Sequence, residues 1–247
     1  MSKSKKRALI IVDVQNDFCP GGSLAVARGD EVVAPLNELI EEFLERGEPV
    51  FKSRDWHPEK TKHFTAYGGT WPVHCVQNTK GAEFHPALID DMHIRVVSKG
   101  LGDEDSYSAF DGTDLALQLR RLGVEEVWIG GLATDYCVKN TVLDALKEGF
   151  DVKALENAMR AVELKPGDGE AALAEMREAG AEIIHSKLSD TADNGNRDPI
   201  IEAYIEGIDR TLVRDKLRLT ATQRVEDLMK FQEFADELRR AGKRARQ

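Results

Sequence analysis

The sequence predicts an α/β fold in which a mostly parallel β-sheet is buried beneath helices on both of its faces. Short apolar runs alternate with longer segments of helical period between residues 8 and 185. The runs are apolar almost throughout rather than at every second position, which is typical of strands buried on both faces. Strands that alternate with helices in this way usually pair in parallel.

Six strands are predicted, the first of them from the run ALIIV. They cover residues 8–12, 49–53, 94–98, 124–130, 150–155 and 181–185. Four amphipathic helices are predicted between them, over about residues 30–46, 114–122, 136–148 and 167–179. A glycine follows each of the last three helices beside the start of a strand, as is common for the residue just past a helix end.

The segment 54–93, between the second and third predicted strands, differs from the rest. It is rich in Gly, Pro, His and Trp and has little periodicity. Connections of this length in compact domains are usually functional or disordered. Its large aromatic side chains argue against disorder: Trp56, Phe64, Trp71 and Phe84. We therefore expect an ordered, functional loop.

Length, charge and cysteine content narrow the class of protein. A chain of 247 residues can hold one large α/β domain, or a medium domain plus an appendage. The net charge of −10 gives no electrostatic reason to bind nucleic acid or an anionic membrane. The three cysteines show no paired spacing, which fits a reducing compartment. With no run long enough for a signal peptide or a membrane span, we expect a cytoplasmic protein.

The chain changes character near its C-terminus. Residues 1–192 form the predicted α/β domain, and the polar stretch DNGNRDP at 193–199 is interpreted as a linker. Residues 200–247 predict a C-terminal helical extension, in which Thr220 and Gln223 are spaced as a capping box. Two interpretations stay open: a helical hairpin that packs on its own core, or an element for dimerisation or partner docking that would form a homo-oligomer.

Reactive side chains follow four of the predicted strands. Asp13, Asp55, Lys99 and Cys137 each come at or just beyond a strand end. Ligands of open parallel sheets bind at the carboxyl ends of the strands, so these residues should converge on one edge. Each has an ordinary explanation alone: a capping aspartate, a solvated lysine or a small buried thiol. Together they indicate a reactive site.

Cys137 is the candidate nucleophile. A cysteine at a helix N-terminus gains thiolate stability from the unpaired N–H groups and the helix dipole, and a nearby cation adds to it. A carboxylate within reach can take the thiol proton and later protonate a leaving group. The preceding segment GGLATDY also offers backbone N–H groups suited to an oxyanion.

The segment DWHPEKTKHF raises the question of a metal site. Asp55, His57 and His63 fall within it, and His74 follows in TWPVHCV. Histidines in loops are often merely solvated, but one carboxylate and three imidazoles suit Zn²⁺, Fe²⁺ or Mn²⁺. The remaining histidines and Cys75 are expected to be structural or solvated, although Cys75 could compete as a soft ligand.

Several separate motifs carry a resemblance to a known family. They are IIVDVQNDFCPGGSLAV, SRDWHPEKTKHF, TWPVHCVQNTKGAEFHPAL, SKG followed by DSYSAF, and GGLATDYCVKNTVLDAL. From about Ala8 to Ser186 the chain resembles the nicotinamidase/pyrazinamidase branch of the isochorismatase-like cysteine hydrolases. The resemblance implies a Rossmann-like, three-layer α/β/α fold with a six-stranded, mostly parallel sheet.

The resemblance also implies roles for individual residues. The implied catalytic triad is Asp13, Lys99 and Cys137, with an oxyanion hole made by the backbone N–H groups of Ala133 and Cys137. A cis peptide would join Leu132 to Ala133. The implied metal ligands are Asp55, His57, His63 and His74. The implied substrate-binding residues are Phe18, Trp71, Tyr107, Leu132 and Tyr136, the last standing where some members have histidine.

The implied reaction is hydrolysis of nicotinamide to nicotinate and ammonia in NAD salvage, through a thioester on Cys137, with pyrazinamide as a second substrate. One divalent metal is implied, with zinc favoured and iron or manganese as alternatives, and it would bind the ring nitrogen. A relative acting on another small amide or carbamoyl compound is the second hypothesis. A binding protein that kept the fold is the third, and the intact triad argues against it.

Overall fold

The central sheet has six parallel strands, and the computed structural model that shows it describes residues 5–103 and 106–185. The strands are β1 (Arg7–Val12), β2 (Val50–Asp55), β3 (Arg95–Lys99), β4 (Glu126–Leu132), β5 (Asp151–Arg160) and β6 (Glu182–Ile184). They are hydrogen-bonded in the order β3-β2-β1-β4-β5-β6, and every pairing is parallel. The predicted sheet is thereby confirmed.

The strand order reverses between β1 and β4. The chain builds from β1 through β2 to β3 at one edge, returns to the middle as β4, and then builds to the other edge through β5 and β6. The crevice beyond the carboxyl ends of two such central strands is where open α/β sheets bind ligands. The fold therefore places its site beyond β1 and β4.

Side chains that alternate along β1 bury themselves on opposite faces of the sheet. Leu9 and Ile11 pack in one core cluster, and Ile10 and Val12 pack in a second. Helix α1 (Val33–Glu45) covers the first face, while α2 (Leu115–Arg121), α3 (Lys139–Lys147) and α4 (Asp168–Glu178) cover the second. The arrangement is the three-layer α/β/α fold that the resemblance implies.

Most elements differ from their predicted bounds by three residues or fewer at either end, and two of the differences bear on the site. Strand β5 runs to Arg160 instead of 155, and its pairing with β4 shifts register between Ile129 and Gly131. A π-helical turn, Thr134–Val138, precedes α3, so the regular helix begins at Lys139 rather than near 136. Both irregularities lie next to the carboxyl end of β4. Bulges and π-helical turns of this kind often occur beside functional sites.

The long segment between β2 and β3 is ordered, as predicted. It contains two short 3₁₀ turns, Thr65–Tyr67 and Lys80–Ala82, and pairs with itself through a bridge between Phe64 and Trp71. Its buried side chains join the core, among them Phe64, Trp71 and Cys75. Apolar burial of this kind supplies the free energy that an irregular chain needs to stay in one conformation.

The end of the predicted α/β domain at 192, the linker at 193–199 and the C-terminal helical extension at 200–247 lie outside the described residues. Within the part of the chain that is described, no helix combines the length and apolar character needed to span a membrane.

Candidate active site

Four strand ends bring the predicted reactive residues to one edge of the sheet. Asp13 follows β1 directly, Asp55 and Lys99 are the last residues of β2 and β3 and are register partners, and Cys137 lies in the π-helical turn after β4. All four are buried. Because β3, β2, β1 and β4 are consecutive neighbours in the sheet, residues far apart in sequence meet there.

The Lys99 ammonium contacts each of the other three residues of this group. Its Nζ lies 2.5 Å from Asp55 Oδ1, 2.9 Å from Asp13 Oδ2 and 3.5 Å from Cys137 Sγ. It also donates a 3.1 Å hydrogen bond to the carbonyl oxygen of Ser106. The structure thus brings the predicted triad together, and it adds Asp55 as the closest partner of the lysine.

Burial and charge act in opposite directions on the ionisation of these groups. Burial alone would lower the pKa of Lys99, but the Asp13 and Asp55 carboxylates raise it well above its ordinary value, so the ammonium form is retained. Burial alone would raise the pKa of Asp55, but the charge of Lys99 and the neighbouring His57 lower it. For Asp13 burial prevails over Lys99, and its pKa is raised.

The expected stabilisation of the Cys137 thiolate is not found. Burial raises the pKa of the thiol well above its ordinary value, and the charges of Asp13 and Asp55 act in the same direction against the lowering effect of Lys99. A desolvated anion beside two carboxylates is costly, which a sequence pattern cannot reveal. The resting sulfur is therefore a thiol that requires a base at the moment of attack.

Three histidines of the long loop form a compact buried cluster. Each of His57, His63 and His74 offers a ring nitrogen, and these nitrogens lie within 4.8 Å of one another. The Nδ1 atoms of His57 and His74 lie 3.0 Å from the Gly100 carbonyl oxygen and 2.7 Å from the Pro72 carbonyl oxygen. Carbonyl oxygens only accept, so these Nδ1 atoms carry the proton and each Nε2 presents a lone pair.

This cluster fits a divalent metal. Among the described residues, His57 Nε2 is buried with no hydrogen-bond partner, which is a costly arrangement unless something binds the lone pair. Asp55 Oδ2 lies 3.6 Å from His57 Nε2 and 3.9 Å from His74 Nε2, too far for hydrogen bonds but facing the same space. Burial lowers the pKa of His74 to about 4, so its imidazole is neutral as a ligand must be.

Gly100 explains why the loop after β3 can approach this cluster. Its φ is +67°, and a Cβ placed on it would lie 2.5 Å from Cε1 of His57. Any other residue at this position would displace the imidazole ring whose Nδ1 its own carbonyl engages. The glycine in the SKG motif therefore lets its own carbonyl oxygen approach His57 Nδ1 and orient that ring within the cluster.

A small, largely apolar cavity opens beside the thiol. Its walls include four of the five predicted substrate-binding residues, along with three that the sequence did not suggest. The predicted ones are Phe18, Trp71, Tyr107 and Tyr136, and the others are Leu24, Val26 and Val162. Trp71 Nε1 donates a 2.9 Å hydrogen bond to the Tyr107 hydroxyl, which links two aromatic walls.

Leu132 is the predicted substrate-binding residue that the cavity walls do not include. Its side chain is buried in the core cluster on the α1 face. The peptide bond from Leu132 to Ala133 is cis, as the resemblance implies, and Ala133 lines the cavity next to Cys137. The Ala133 carbonyl oxygen accepts hydrogen bonds from the amides of Tyr136 and Val138, which holds the turn that carries the thiol.

Several supporting polar residues were not predicted. Gln15 Nε2 donates to the carbonyl oxygens of Asp55 and Ala82 at 2.8 and 2.9 Å, and the Asp55 amide donates to Gln15 Oε1 at 2.7 Å. The Cys75 amide donates to Asp17 Oδ2 at 2.8 Å, which secures the turn after His74. The available signal was the group of polar residues in VDVQNDF, directly after the apolar run ALIIV.

The remaining histidines and Cys75 have the structural or solvated roles expected of them. His93 and His185 are exposed and contact Asp91 and Glu156, respectively. Cys75 is fully buried, and burial raises the pKa of its thiol far above the ordinary value, which is unfavourable for a thiolate ligand.

Comparisons with known proteins agree with this geometry. The family model described as the isochorismatase domain matches residues 7–187. The nicotinamidase of Escherichia coli K12 is 43% identical over 199 residues, which cover 72% of this chain and 93% of that protein. The structure of the Pyrococcus horikoshii pyrazinamidase in complex with zinc has a TM-score of 0.70 at 47% identity, covering 73% of this chain and 99% of that one. PnC1 from L. infantum, solved in complex with nicotinate, has a TM-score of 0.68 at 38% identity, covering 74% and 94%.

Proposed function

The chain belongs to the isochorismatase domain family, and we propose that it is a metal-dependent cysteine amidohydrolase that converts nicotinamide to nicotinate and ammonia. One observation carries the proposal. A thiol on the wall of an aromatic cavity lies 3.5 Å from a buried ammonium that also contacts a buried carboxylate, with a three-histidine cluster alongside. The reaction supplies nicotinate for NAD salvage, and pyrazinamide is a second substrate of the same shape.

The first half of the reaction forms a thioester. As Cys137 Sγ bonds to the carboxamide carbon, its proton passes to Asp13, whose raised pKa makes it a stronger base than an ordinary aspartate. The electron pair of the carbonyl moves to oxygen, which the backbone N–H groups of Ala133 and Cys137 receive. Asp13 then returns the proton to the amide nitrogen, the C–N bond breaks and ammonia departs.

The second half releases the acid. Asp13 takes a proton from water while the water oxygen bonds to the thioester carbon, and the C–S bond breaks as the tetrahedral intermediate collapses. The proton on Asp13 returns to the departing sulfur, so both residues end as they began. Lys99 remains an ammonium throughout, because two carboxylates hold its pKa high, and it stabilises negative charge on sulfur and on Asp13.

One divalent metal is proposed to be held by His57, His63 and His74 together with Asp55, whose Oδ2 faces His57 and His74. Zinc is favoured over iron or manganese for this donor set. When bound, the metal supplies a coordination position for the ring nitrogen of the substrate. The histidine cluster is what favours a pyridine amide over other small amides or carbamoyl compounds. Orientation of this kind lowers the barrier by removing the entropy of alignment from the chemical step.

The aromatic walls of the cavity are proposed to bind the ring. Phe18, Trp71 and Tyr107 offer faces and edges against which a planar heteroaromatic ring can stack. Tyr136 adds a fourth wall, with its ring centroid 4.9 Å from that of Trp71. Leu132 contributes through its peptide bond to Ala133, since its side chain is in the core.

We also propose that the enzyme works in the cytoplasm. All three cysteines are free thiols, which is the state expected in a reducing compartment. A homo-oligomer formed through residues 200–247 stays a prediction.

Ammonia release from nicotinamide tests the proposed activity. The purified, zinc-loaded chain should release ammonia and nicotinate, and Cys137→Ala should reduce turnover at least 1,000-fold while the bound zinc is unchanged, because the nucleophile is lost and the histidines are not. Cys19→Ala is the matched control, since Cys19 is equally buried but does not line the cavity. The absence of ammonia release from both nicotinamide and pyrazinamide would reject the proposal.

A further inference from the structure

A buried serine lies against the carboxylate of Asp13, and the roles assigned above leave it unexplained. Ser53 is in β2, beside the end of β1, and is 1% exposed while Asp13 is 0% exposed. The Ser53 hydroxyl donates a 2.7 Å hydrogen bond to Asp13 Oδ1. The Ser53 carbonyl oxygen also accepts a 3.2 Å hydrogen bond from the Asp13 amide. One serine therefore holds both the backbone and the side chain of the base.

The hydrogen bonds that Lys99 donates leave one oxygen of Asp13, Oδ2, without a directed donor among the described residues. An ammonium has three N–H donors, and those of Lys99 are directed at Asp55 Oδ1, the Ser106 carbonyl oxygen and Cys137 Sγ. Asp13 Oδ2 is only 2.9 Å from Nζ, but among the described residues it has no directed hydrogen-bond donor. The ammonium attracts this oxygen by its charge and leaves a lone pair for a proton.

The orientation of the Asp13 carboxylate has to be fixed if one particular oxygen is to face Cys137. The Asp13 backbone has a φ of +49°, a left-handed conformation that is uncommon outside glycine. The two oxygens of a carboxylate are chemically equivalent, so a turn about its terminal bond would present either one to the sulfur. In the structure Oδ1 is held by Ser53, and one oxygen each of Asp13 and Asp55 lies within 4.8 Å of Cys137 Sγ.

We propose that Ser53 is a positioning residue of this site, whose hydroxyl engages Oδ1 of Asp13 and thereby directs Oδ2 to the thiol of Cys137. As sulfur bonds to an electrophilic carbon, its proton passes to Oδ2, while Ser53 keeps its own proton and stays a donor to Oδ1. The inference rests on the proposed function for the natural substrate, but the proton transfer it describes accompanies attack by Cys137 on any electrophile.

Two measurements test the positioning role of Ser53, and one of them does not depend on nicotinamide. The first is the kcat and KM for ammonia release. The second is the rate at which iodoacetamide alkylates Cys137, followed by mass spectrometry of its peptide in the full chain. Ser53→Ala removes the hydroxyl, and Ser53→Thr keeps it on a side chain that strands accept well. Ser98→Ala is the matched control, because this serine in β3 accepts a hydrogen bond from Arg54 and does not contact Asp13.

We expect Ser53→Ala to lower kcat and the alkylation rate together by roughly 10- to 100-fold, with KM within about twofold, since a hydrogen bond to a charged group is lost. Ser53→Thr should recover most of both rates, and Ser98→Ala should change neither by more than about twofold. The proposal is overturned if Ser53→Ala alkylates at the wild-type rate, or if Ser53→Thr is as impaired as Ser53→Ala. A wild-type chain that alkylates at Cys137 but releases no ammonia would contradict the proposed function alone.

Discussion

Asp55 has two oxygen atoms that face different chemical groups. Oδ1 lies 2.5 Å from the Lys99 ammonium, and Oδ2 faces the Nε2 atoms of His57 and His74. A single buried carboxylate therefore joins the histidine cluster to the charged group around Cys137. The residue that the sequence offered only as a metal ligand is also a partner of Lys99, so any change in its charge should affect metal binding and thiol chemistry together.

Residue types at strand ends were predictable, and the directions of their side chains were not. Charged or reactive side chains stand out directly after apolar runs, as Asp13, Lys99 and Cys137 do. Because the strands are parallel, their carboxyl ends meet at one edge of the sheet, so the convergence of these residues could be predicted. A serine such as Ser53 is common in strands, and its role depends on which atom its hydroxyl faces. The same holds for the Cys137 thiol, whose pKa is set by burial and by two neighbouring carboxylates.

Gly100→Ala should weaken metal binding. The new Cβ would lie 2.5 Å from His57 Cε1 and displace the ring, so we expect zinc affinity to fall about 10- to 100-fold in competition with a chelator. Gly112→Ala is the control, because Gly112 has a φ of +65° but nothing within 4 Å of its Cβ position. The left-handed φ should cost each variant about 1–2 kcal/mol of stability, and the clash with His57 should add to that loss in Gly100→Ala alone. Equal zinc affinities in the two would show that the contact with His57 does not matter.

At the scale of elements, two irregular segments form most of the site. The long β2–β3 segment supplies three histidines and Trp71, and the π-helical turn Thr134–Val138 supplies the thiol. The sequence predicted that the first is ordered, because aromatic residues in a polar loop imply burial. It predicted a regular helix for the second, because a helical pattern of apolar residues does not distinguish a π turn from the first turn of α3.

Asp135 fastens the π-helical turn to the segment after β5. Its Oδ1 and Oδ2 accept hydrogen bonds of 2.9 and 3.0 Å from the amides of Val162 and Glu163, and Val162 lines the cavity. An asparagine side chain keeps the shape but has only one accepting oxygen. We therefore expect Asp135→Asn to lower the free energy of unfolding by about 1–3 kcal/mol in urea titrations.

Asp144→Asn serves as the control for Asp135→Asn, because Asp144 pairs with the largely exposed Lys147 at the surface. Its loss should change the free energy of unfolding by less than about 0.5 kcal/mol. If Asp135→Asn were no more destabilising than this control, the two hydrogen bonds would not be what holds the segments together.

For the whole molecule, the class of the fold was accessible from the sequence and the strand order was not. Apolar runs show that strands are buried on both faces, but they do not show which strands are neighbours. The order β3-β2-β1-β4-β5-β6 places the switch point between β1 and β4, where Asp13 and the Cys137 turn meet. The family resemblance supplied what periodicity could not, namely one activity for residues drawn from four strands.

Trapping with hydroxylamine tests the central claim, that Cys137 forms a thioester with the nicotinoyl group. Hydroxylamine competes with water for such a thioester, so the zinc-loaded enzyme given nicotinamide should produce nicotinohydroxamate together with nicotinate, and Cys137→Ala should produce neither. Nicotinate formed without any hydroxamate, or formed at an undiminished rate by Cys137→Ala, would mean that water attacks the amide directly and would contradict the account.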